Sequence, residues 1–508
     1  MSESVVNNRQ IAKNTIFLYI RMIVVMLINL YTVRAFLSIL GETDYGLYNV
    51  IGGVVGMFSF FNGTLATSSQ RYFSQALVHN DKKAINRVFC LNLTIYMVLI
   101  AIIVVVLETI CLWFVNSQMT IPQERLGAAN IVYQISVVTF AFQMFTISYN
   151  ALIIAHERMK AFAYIGILEA FLKLGFVFIL MKVPFDKLIT YAVLMFLMNL
   201  LVVAIYFAYC RYNFEESRFK FYWNREDAKE MIGFSGWHLL GTLSVVVRGQ
   251  GVNILINMFF NPAVNAARAV AFQIEGAISQ LSNNFFVAVK PQMYKSYSNG
   301  EITALNNLVL RSTMICFFLV SILSVPFCFN AEYILSLWLK DVPDYAVIFT
   351  QLVLINSLID SAAGSAICPA LATGKIKNFY LVTGTLLILT LPIAYVFLKL
   401  GFDPTSTMIV AIVISIIALI ARAVFLVKLI QLPIKKYFEL IIRLGIVTLI
   451  IGAITYYTLT FFSNAFWAIV VTTIVSSILH LTLYFFFVCS KPERVAVVDI
   501  AKKKFHIK

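Results

Sequence analysis

Charge is what this chain has least of. Asp, Glu, Lys and Arg make up 12% of its 508 residues while 61% are hydrophobic, and the mean hydropathy is +0.87. A soluble domain carries roughly twice that charged share, so the composition excludes a water-soluble globular protein and makes lipid the solvent for most of the chain. Histidine is limited to five residues, without HExxH or any other metal spacing. No P-loop pattern occurs, so energy does not come from ATP bound to this chain. The seven cysteines (Cys90, Cys111, Cys210, Cys316, Cys328, Cys368 and Cys489) lie in or beside apolar runs with no CxxC pair, the pattern of core side chains rather than disulfides or metal ligands. Ten-residue alternating strand patterns are absent, which excludes an outer-membrane barrel. A cleavable signal is lacking as well: the first apolar run extends from about Ile16 to Leu40 without a small-residue cleavage site, and is expected to stay as a first membrane helix.

What the chain does contain is apolar runs of about 20 residues, the length that crosses a bilayer core as a helix. Between polar breaks they predict fourteen helices. The first seven cover residues 15–40, 46–70, 89–115, 127–154, 161–181, 188–210 and 233–258. The second seven cover 264–290, 305–330, 346–373, 378–400, 405–429, 438–462 and 465–489. The fold class is therefore all-α and polytopic, and an even number of crossings places both termini on one side.

The net charge of +15 tests that count, because cytoplasmic loops collect Lys and Arg and one missed helix would scramble the alternation downstream. The alternation survives. Lys and Arg gather in alternate segments, among them Arg71, Lys82, Lys83 and Arg87, then Arg211, Arg218, Lys220, Arg225 and Lys229, and finally the tail from Lys491 to Lys508. The opposite loops hold only Arg125, Lys182, Lys187, Lys340 and Lys399. Both termini are assigned to the cytoplasm. Nucleic acid is not an expected partner, since no soluble domain presents a binding face.

The longest polar interruption, 212–230, carries Phe214, Phe219, Phe221, Tyr222 and Trp223 among charges, the composition of an interfacial connector with rings at headgroup level. The RxxAK spacing of Arg9, Ala12 and Lys13 returns in Arg225, Ala228 and Lys229 before the seventh predicted helix, a faint echo between two halves. In the second predicted helix Gly46, Asn49, Gly53, Gly56 and Gly63 fall near one face, and small residues there let helix backbones approach closely.

Ionisable residues deep in the membrane are more informative, because one at the bilayer centre costs roughly 2.5–3.5 kcal/mol even on a lenient insertion scale. Arg311, Arg422 and Arg443 lie near cytoplasmic helix ends, where a long side chain reaches the headgroups, and are assigned no function. Glu169 and Lys173 stand one turn apart, acid before base, as an internal ion pair would. Arg248 lies well inside the seventh predicted helix with Gly241, Ser244 and Gly251 on its face. In the eighth, Arg268, Glu275, Ser279 and Ser282 form one polar stripe suited to a wet lumen. The first helix adds Arg21, Asn29 and Arg34, the two arginines near opposite ends of the span, where each can line a cavity or snorkel outward. Glu108, Glu275 and Asp360 are the candidates for coupling to H+ or Na+, since burial raises a carboxyl toward exchangeable pH. Asp360 leads, lying mid-helix with no basic residue within a turn; a packing role is the alternative.

The run Arg34, Leu40, Gly41, Asp44, Tyr45, Gly46, Leu47, Tyr48, followed by the glycine-rich helix and Ser69, Gln70, Arg71, Tyr72, resembles the polysaccharide-biosynthesis exporters. The stretch from Ala271 to Pro291, closing with Tyr294 and Gly300, resembles the start of their second half. Those exporters include the Wzx-type O-antigen and capsule flippases of the multidrug/oligosaccharidyl-lipid/polysaccharide (MOP) superfamily, which also holds the MATE transporters. The resemblance implies two six-helix lobes around a central cavity, at 1–211 and 233–430. A connector at 212–232, two further helices within 431–490 and a basic tail at 491–508 complete the division. It implies alternating access and an undecaprenyl-diphosphate-linked oligosaccharide as cargo, with membrane lipids and polysaccharide polymerase machinery as partners.

The arginines meet this independently, for a planar guanidinium fork suits phosphate oxygens. Arg248 and Arg268, with Arg21 and Arg34, are the candidates to hold the diphosphate. Ser244, Ser279, Asn29 and Glu275 are the candidates to line the cavity for sugars. Two competitors share the superfamily. A MATE-type multidrug antiporter would be expected to keep acidic groups in its cavity, whereas the first helix here has two arginines and no carboxylate before Glu42. A lipid II flippase would share the cationic cavity. A membrane-embedded glycan polymerase, an enzyme, usually needs a large outer loop, and every outer loop here is short.

Overall fold

The computed structural model describes residues 8–78, 81–117, 119, 121, 123–260, 262–339, 341–461, 465–490 and 493–495. Every regular element among them is helical. Helix α1 (Asn8–Gly56) is two helices joined at Gly41, whose backbone (φ 77°, ψ 168°) is open essentially to glycine alone. A 3-10 turn at Met57–Ser59 leads into α2 (Phe60–Val78). Asp81 caps α3 (Lys82–Val106) by accepting the Lys83 amide. The chain then passes through a π turn, Leu107–Cys111, into α4 (Leu112–Ser117). The first half closes with α5 (Leu126–Ala155), α6 (Met159–Lys182) and α7 (Lys187–Asn213).

The second half runs α8 (Arg225–Phe259), α9 (Pro262–Ser298), α10 (Ile302–Phe329), α11 (Ala331–Trp338), α12 (Ala346–Gly364), α13 (Ile367–Thr373) and α14 (Lys377–Lys399). It ends with α15 (Ser406–Ile430), α16 (Ile434–Leu459) and α17 (Ala465–Leu483), which closes in a second π turn at Tyr484–Val488. Among the described residues thirteen stretches are long and apolar enough to cross a membrane. The fourteenth expected crossing is α9. It is a continuous 37-residue helix, but Arg268, Gln273, Glu275, Gln280, Asn283 and Asn284 dilute its hydropathy.

Two compact units share the chain. One is Met1–Thr242 with Val287–Asn299, and the other Leu243–Phe286 with Gly300–Lys508. In the first, Phe36 and Tyr48 each bring a ring within 4.4 Å of Tyr191, inside an aliphatic core from α1, α3, α5 and α7. Helix α5 is its axis: Val132, Tyr133, Met144 and the run Ala151 to Ala155 are all buried. The second unit centres on α12, with Phe349, Val353 and Leu354 in one cluster and Ala362 and Ala363 in another reached by α16 and α17.

The polar anchors of the first unit lie at helix ends. Arg125 forms salt bridges with both Asp44 and Asp186. Asp186 also caps α7 through the amides of Leu188 and Ile189. Partial burial opposes ionisation of Asp186, but those amides and Arg125 outweigh it and hold the carboxyl below its usual range. The connector docks on α3. Lys82 reaches Glu215 at 2.7 Å, His156 reaches Glu216 at 2.7 Å, and Asn86 donates to the carbonyls of Glu216 and Arg218. Burial of Glu216 raises its carboxyl, yet the His156 hydrogen bond and its own backbone amide carry the balance downward. Tyr212, Phe221 and Trp223 remain exposed, the disposition of headgroup-level rings.

Candidate anion-binding site

The second unit gathers three arginines, two carboxylates and a set of serines. Helix α8 approaches α14 closely through glycine. A Cβ on Gly384 would meet Ser244 Oγ at 2.7 Å, and one on Gly251 would meet the Leu391 methyls at 2.6 Å. This close seam carries Arg248 on α8, whose Nη1 donates to Ser415 Oγ of α15 at 3.3 Å. Arg248 also lies within electrostatic range of Asp360, Arg422 and Arg268.

Arg268 on α9 is 5% exposed. Its Nη1 bonds Asn253 of α8, its guanidinium lies 4.3 Å over the Phe272 ring, and its Nε finds no protein acceptor. Deeper along the stripe, Glu275 Oε1 accepts from Ser279 at 2.6 Å and from Ser357 of α12 at 3.3 Å, while the two serines lie 3.0 Å apart. One turn from Ser357, the exposed Asp360 accepts from Asn356 at 2.7 Å. The structure thus gathers Arg248, Arg268, Ser244, Glu275, Ser279 and Asp360 within one unit. Asp360 has a cation in electrostatic range that spacing along its own helix does not reveal.

Arg422 is the residue the sequence reading passed over. Expected to snorkel, it is instead 9% exposed on α15, with a buried Nε that has no protein acceptor. The available signal was its own helix: Ser415, Ala418 and Arg422 share a face at i, i+3 and i+7, and Ser415 is the partner of Arg248.

The first unit holds a smaller cationic site. Arg21 packs 4.3 Å over Phe162, and only a glycine at 166 leaves room, since a Cβ there would sit 2.4 Å from Arg21 Nε. That Nε is buried without an acceptor, with Glu169 and Tyr206 in electrostatic range. The expected Glu169 to Lys173 pair is not closed to salt-bridge distance. Lys173 turns instead to Asn29 Oδ1 at 3.2 Å, which places Asn29 in this cluster. Glu108 stands apart, in the π turn beyond α3, accepting from Gln134 at 2.9 Å. The Arg34 side chain lies outside the described residues. Among those described, no cluster of three His, Cys, Asp or Glu side chains is placed to hold a metal ion.

A buried guanidinium N–H without an acceptor is costly unless a ligand supplies one. Two of them, on Arg268 and Arg422 of the second unit, suit an oxyanion. Residues 11–296 match the family model described as polysaccharide biosynthesis protein. The chain belongs to that family. Among curated proteins no sequence matches it. The fold is that of the MATE and MOP transporters, as several solved structures show. A MATE in complex with MaD3S superposes with a TM-score of 0.70 at 15% identity, over 85% of this chain and 96% of that one. The MATE transporter ClbM in complex with Rb+ gives 0.71 at 17% identity, over 84% and 97%. A MOP superfamily transporter from Pyrococcus furiosus, described as having a binding pocket of reversed polarity, gives 0.69 at 14% identity, over 86% and 99%. This member of the polysaccharide biosynthesis family is therefore a multi-pass membrane protein with a transporter fold.

Proposed function

We propose that the protein is a flippase that carries an undecaprenyl-diphosphate-linked oligosaccharide across the bacterial inner membrane by alternating access, for O-antigen, capsule or exopolysaccharide synthesis. In this reading both termini are cytoplasmic, the lobes divide at 1–211 and 233–430, and a polysaccharide polymerase consumes the delivered glycan. The observation that carries it is the arginine set of the second unit. Arg248, Arg268 and Arg422 outnumber the two carboxylates near them, and two of the three keep a buried N–H with no protein acceptor. Arg248 and Arg268 are the proposed diphosphate ligands, Arg21 and Arg34 are further candidates for that role, and Ser244, Ser279, Glu275 and Asn29 are the candidates to face the sugars. Asp360, Glu275 and Glu108 are the carboxylates assigned to H+ or Na+ coupling.

A second reading, a MATE-type cation antiporter, draws on Glu275 and Asp360 and on the MATE structures that share the fold. One experiment separates the two: proteoliposomes assayed in parallel for movement of a lipid-linked oligosaccharide and for efflux of a cationic dye. Glycan movement without dye efflux is expected. Dye efflux without glycan movement overturns the proposal, and movement of lipid II in preference to the oligosaccharide reassigns the cargo to the peptidoglycan precursor.

A further inference from the structure

In the second unit a groove of about 480 Å³, lined by none of the arginine set, opens between the first turns of α10 and α16 and the end of α17. Its rim is cationic. Arg311, Lys436 and Arg443 face it with two carboxylates, Glu439 and Glu493, leaving one positive charge in excess. The pairings leave donors to spare. Arg311 reaches Glu493 through Nε at 3.1 Å, Arg443 reaches Glu439 on its own helix, and Lys436 has no ion-pair partner among the described residues. Below the rim the walls turn apolar, with Leu310, Met314, Leu440 and Val488.

The lining residues sit in the first turns of α10 and α16 or at and just past the end of α17, the depth at which acyl chains give way to headgroups. On α16, Ile446 and Ile450 follow Arg443 at i+3 and i+7, so they continue its face toward the bilayer interior, and both are about half exposed (52% and 47%). Phe486 and Phe487, beside Val488, are exposed as well. A charged mouth with an apolar surface running down from it matches an amphiphile with a phosphate at one end and hydrocarbon at the other.

We propose that this groove is a binding site for an anionic phospholipid of the leaflet that the loop charges assign to the cytoplasm. The phosphodiester bridges Lys436, Arg443 and the Nη groups of Arg311, and an acyl chain lies along Ile446 and Ile450. Basic pockets between helix ends on that side are recurrent lipid sites, and the volume suits one headgroup. The groove shares no lining residue with the proposed cargo site, so its test reads lipid retention and not transport of the glycan.

The test uses the full-length protein in detergent, with dioleoyl phosphatidylglycerol, dioleoyl phosphatidylcholine and inorganic phosphate as probes. Native mass spectrometry reads retained lipid and thermal unfolding reads stabilisation. Phosphatidylglycerol alone is expected to be retained and to raise the melting temperature. Lys436→Gln combined with Arg443→Gln, both at exposed positions, is expected to weaken retention roughly 30-fold, at about one headgroup contact per cation removed. The control Lys375→Gln with Lys428→Gln removes two exposed lysines outside the groove and should leave retention unchanged. Equal retention of phosphatidylcholine, an equal loss in the control, or full retention in the groove variant each overturns the proposal. A shift reproduced by inorganic phosphate alone overturns it too, since the groove would then recognise a free anion.

Discussion

Replacing Arg248 with alanine is the sharpest test of the cargo site. The guanidinium has five N–H donors, and its one hydrogen bond among the described residues is the 3.3 Å contact to Ser415. Most of its donor capacity is therefore available to a ligand. A hydrogen bond to a charged group contributes about 1.5–3 kcal/mol. Losing it should slow translocation at subsaturating cargo by about 10- to 140-fold. Arg248→Lys keeps the charge and gives up the fork, so it should fall between wild type and alanine. Ser415→Ala removes only a long, neutral acceptor and should cost less than tenfold. The assay is arrival of the oligosaccharide at the far leaflet of proteoliposomes, read by its accessibility to an added lectin, with protein amount and melting temperature matched between variants. An undiminished rate in Arg248→Ala refutes the assignment. A Ser415→Ala rate as low as that of Arg248→Ala refutes it differently, by making Arg248 a brace between α8 and α15.

Arg125→Ala should lower stability by about 1–2 kcal/mol, less than a fully buried pair because Arg125 and Asp186 are each about one-third exposed, and detergent thermal melts measure it. The same bracket sets a pH dependence. The folded-state pKa of Asp186 is depressed, so its contribution is complete above the ordinary carboxylate value and disappears as pH falls through the lower folded value. Acid melts of wild type and Asp186→Asn should converge there, and parallel curves would discount the carboxylate. Gly41→Ala should destabilise by about 1–3 kcal/mol because no L side chain is at ease at φ 77°, ψ 168°; an unchanged melting temperature would place the α1 joint elsewhere. Lys295→Ala breaks a 2.6 Å salt bridge to Glu157, which also accepts from Gln292. Amide exchange in 287–299 should then quicken, and unaltered protection would show that the segment is held by packing.

The helices were legible because lipid imposes one demand, about 20 apolar residues, that composition states directly. Helix α9 shows where that legibility ends. Its polar stripe weakens the hydropathy signal, but Arg268, Glu275, Ser279 and Ser282 keep helical spacing, and the stretch is one helix. The site was half legible for the same reason. Arg248 and Arg268 announce themselves by depth, whereas Arg422 stands near a helix end and its burial depends on neighbours many residues away. Pairings across the chain were not legible at all. Nothing local connects Asp44, Arg125 and Asp186, and the preference of Lys173 for Asn29 over the acid one turn away is decided by where α1 lies against α6.

The π turn at Leu107–Cys111 makes the register of one crossing depend on a single residue. One residue more than an α-helix needs is fitted between α3 and α4, and the carbonyl of Leu107 accepts from the Tyr133 hydroxyl at 2.7 Å. Deleting a single residue there would restore a regular helix and turn everything after it by about 100°. Trp113 and Phe114, now exposed, would change facing, and Glu108 would lose its alignment with Gln134. Family members that lack the extra residue should carry a different side chain at the position of Tyr133, so the length of this one crossing and the identity of that tyrosine are expected to change together.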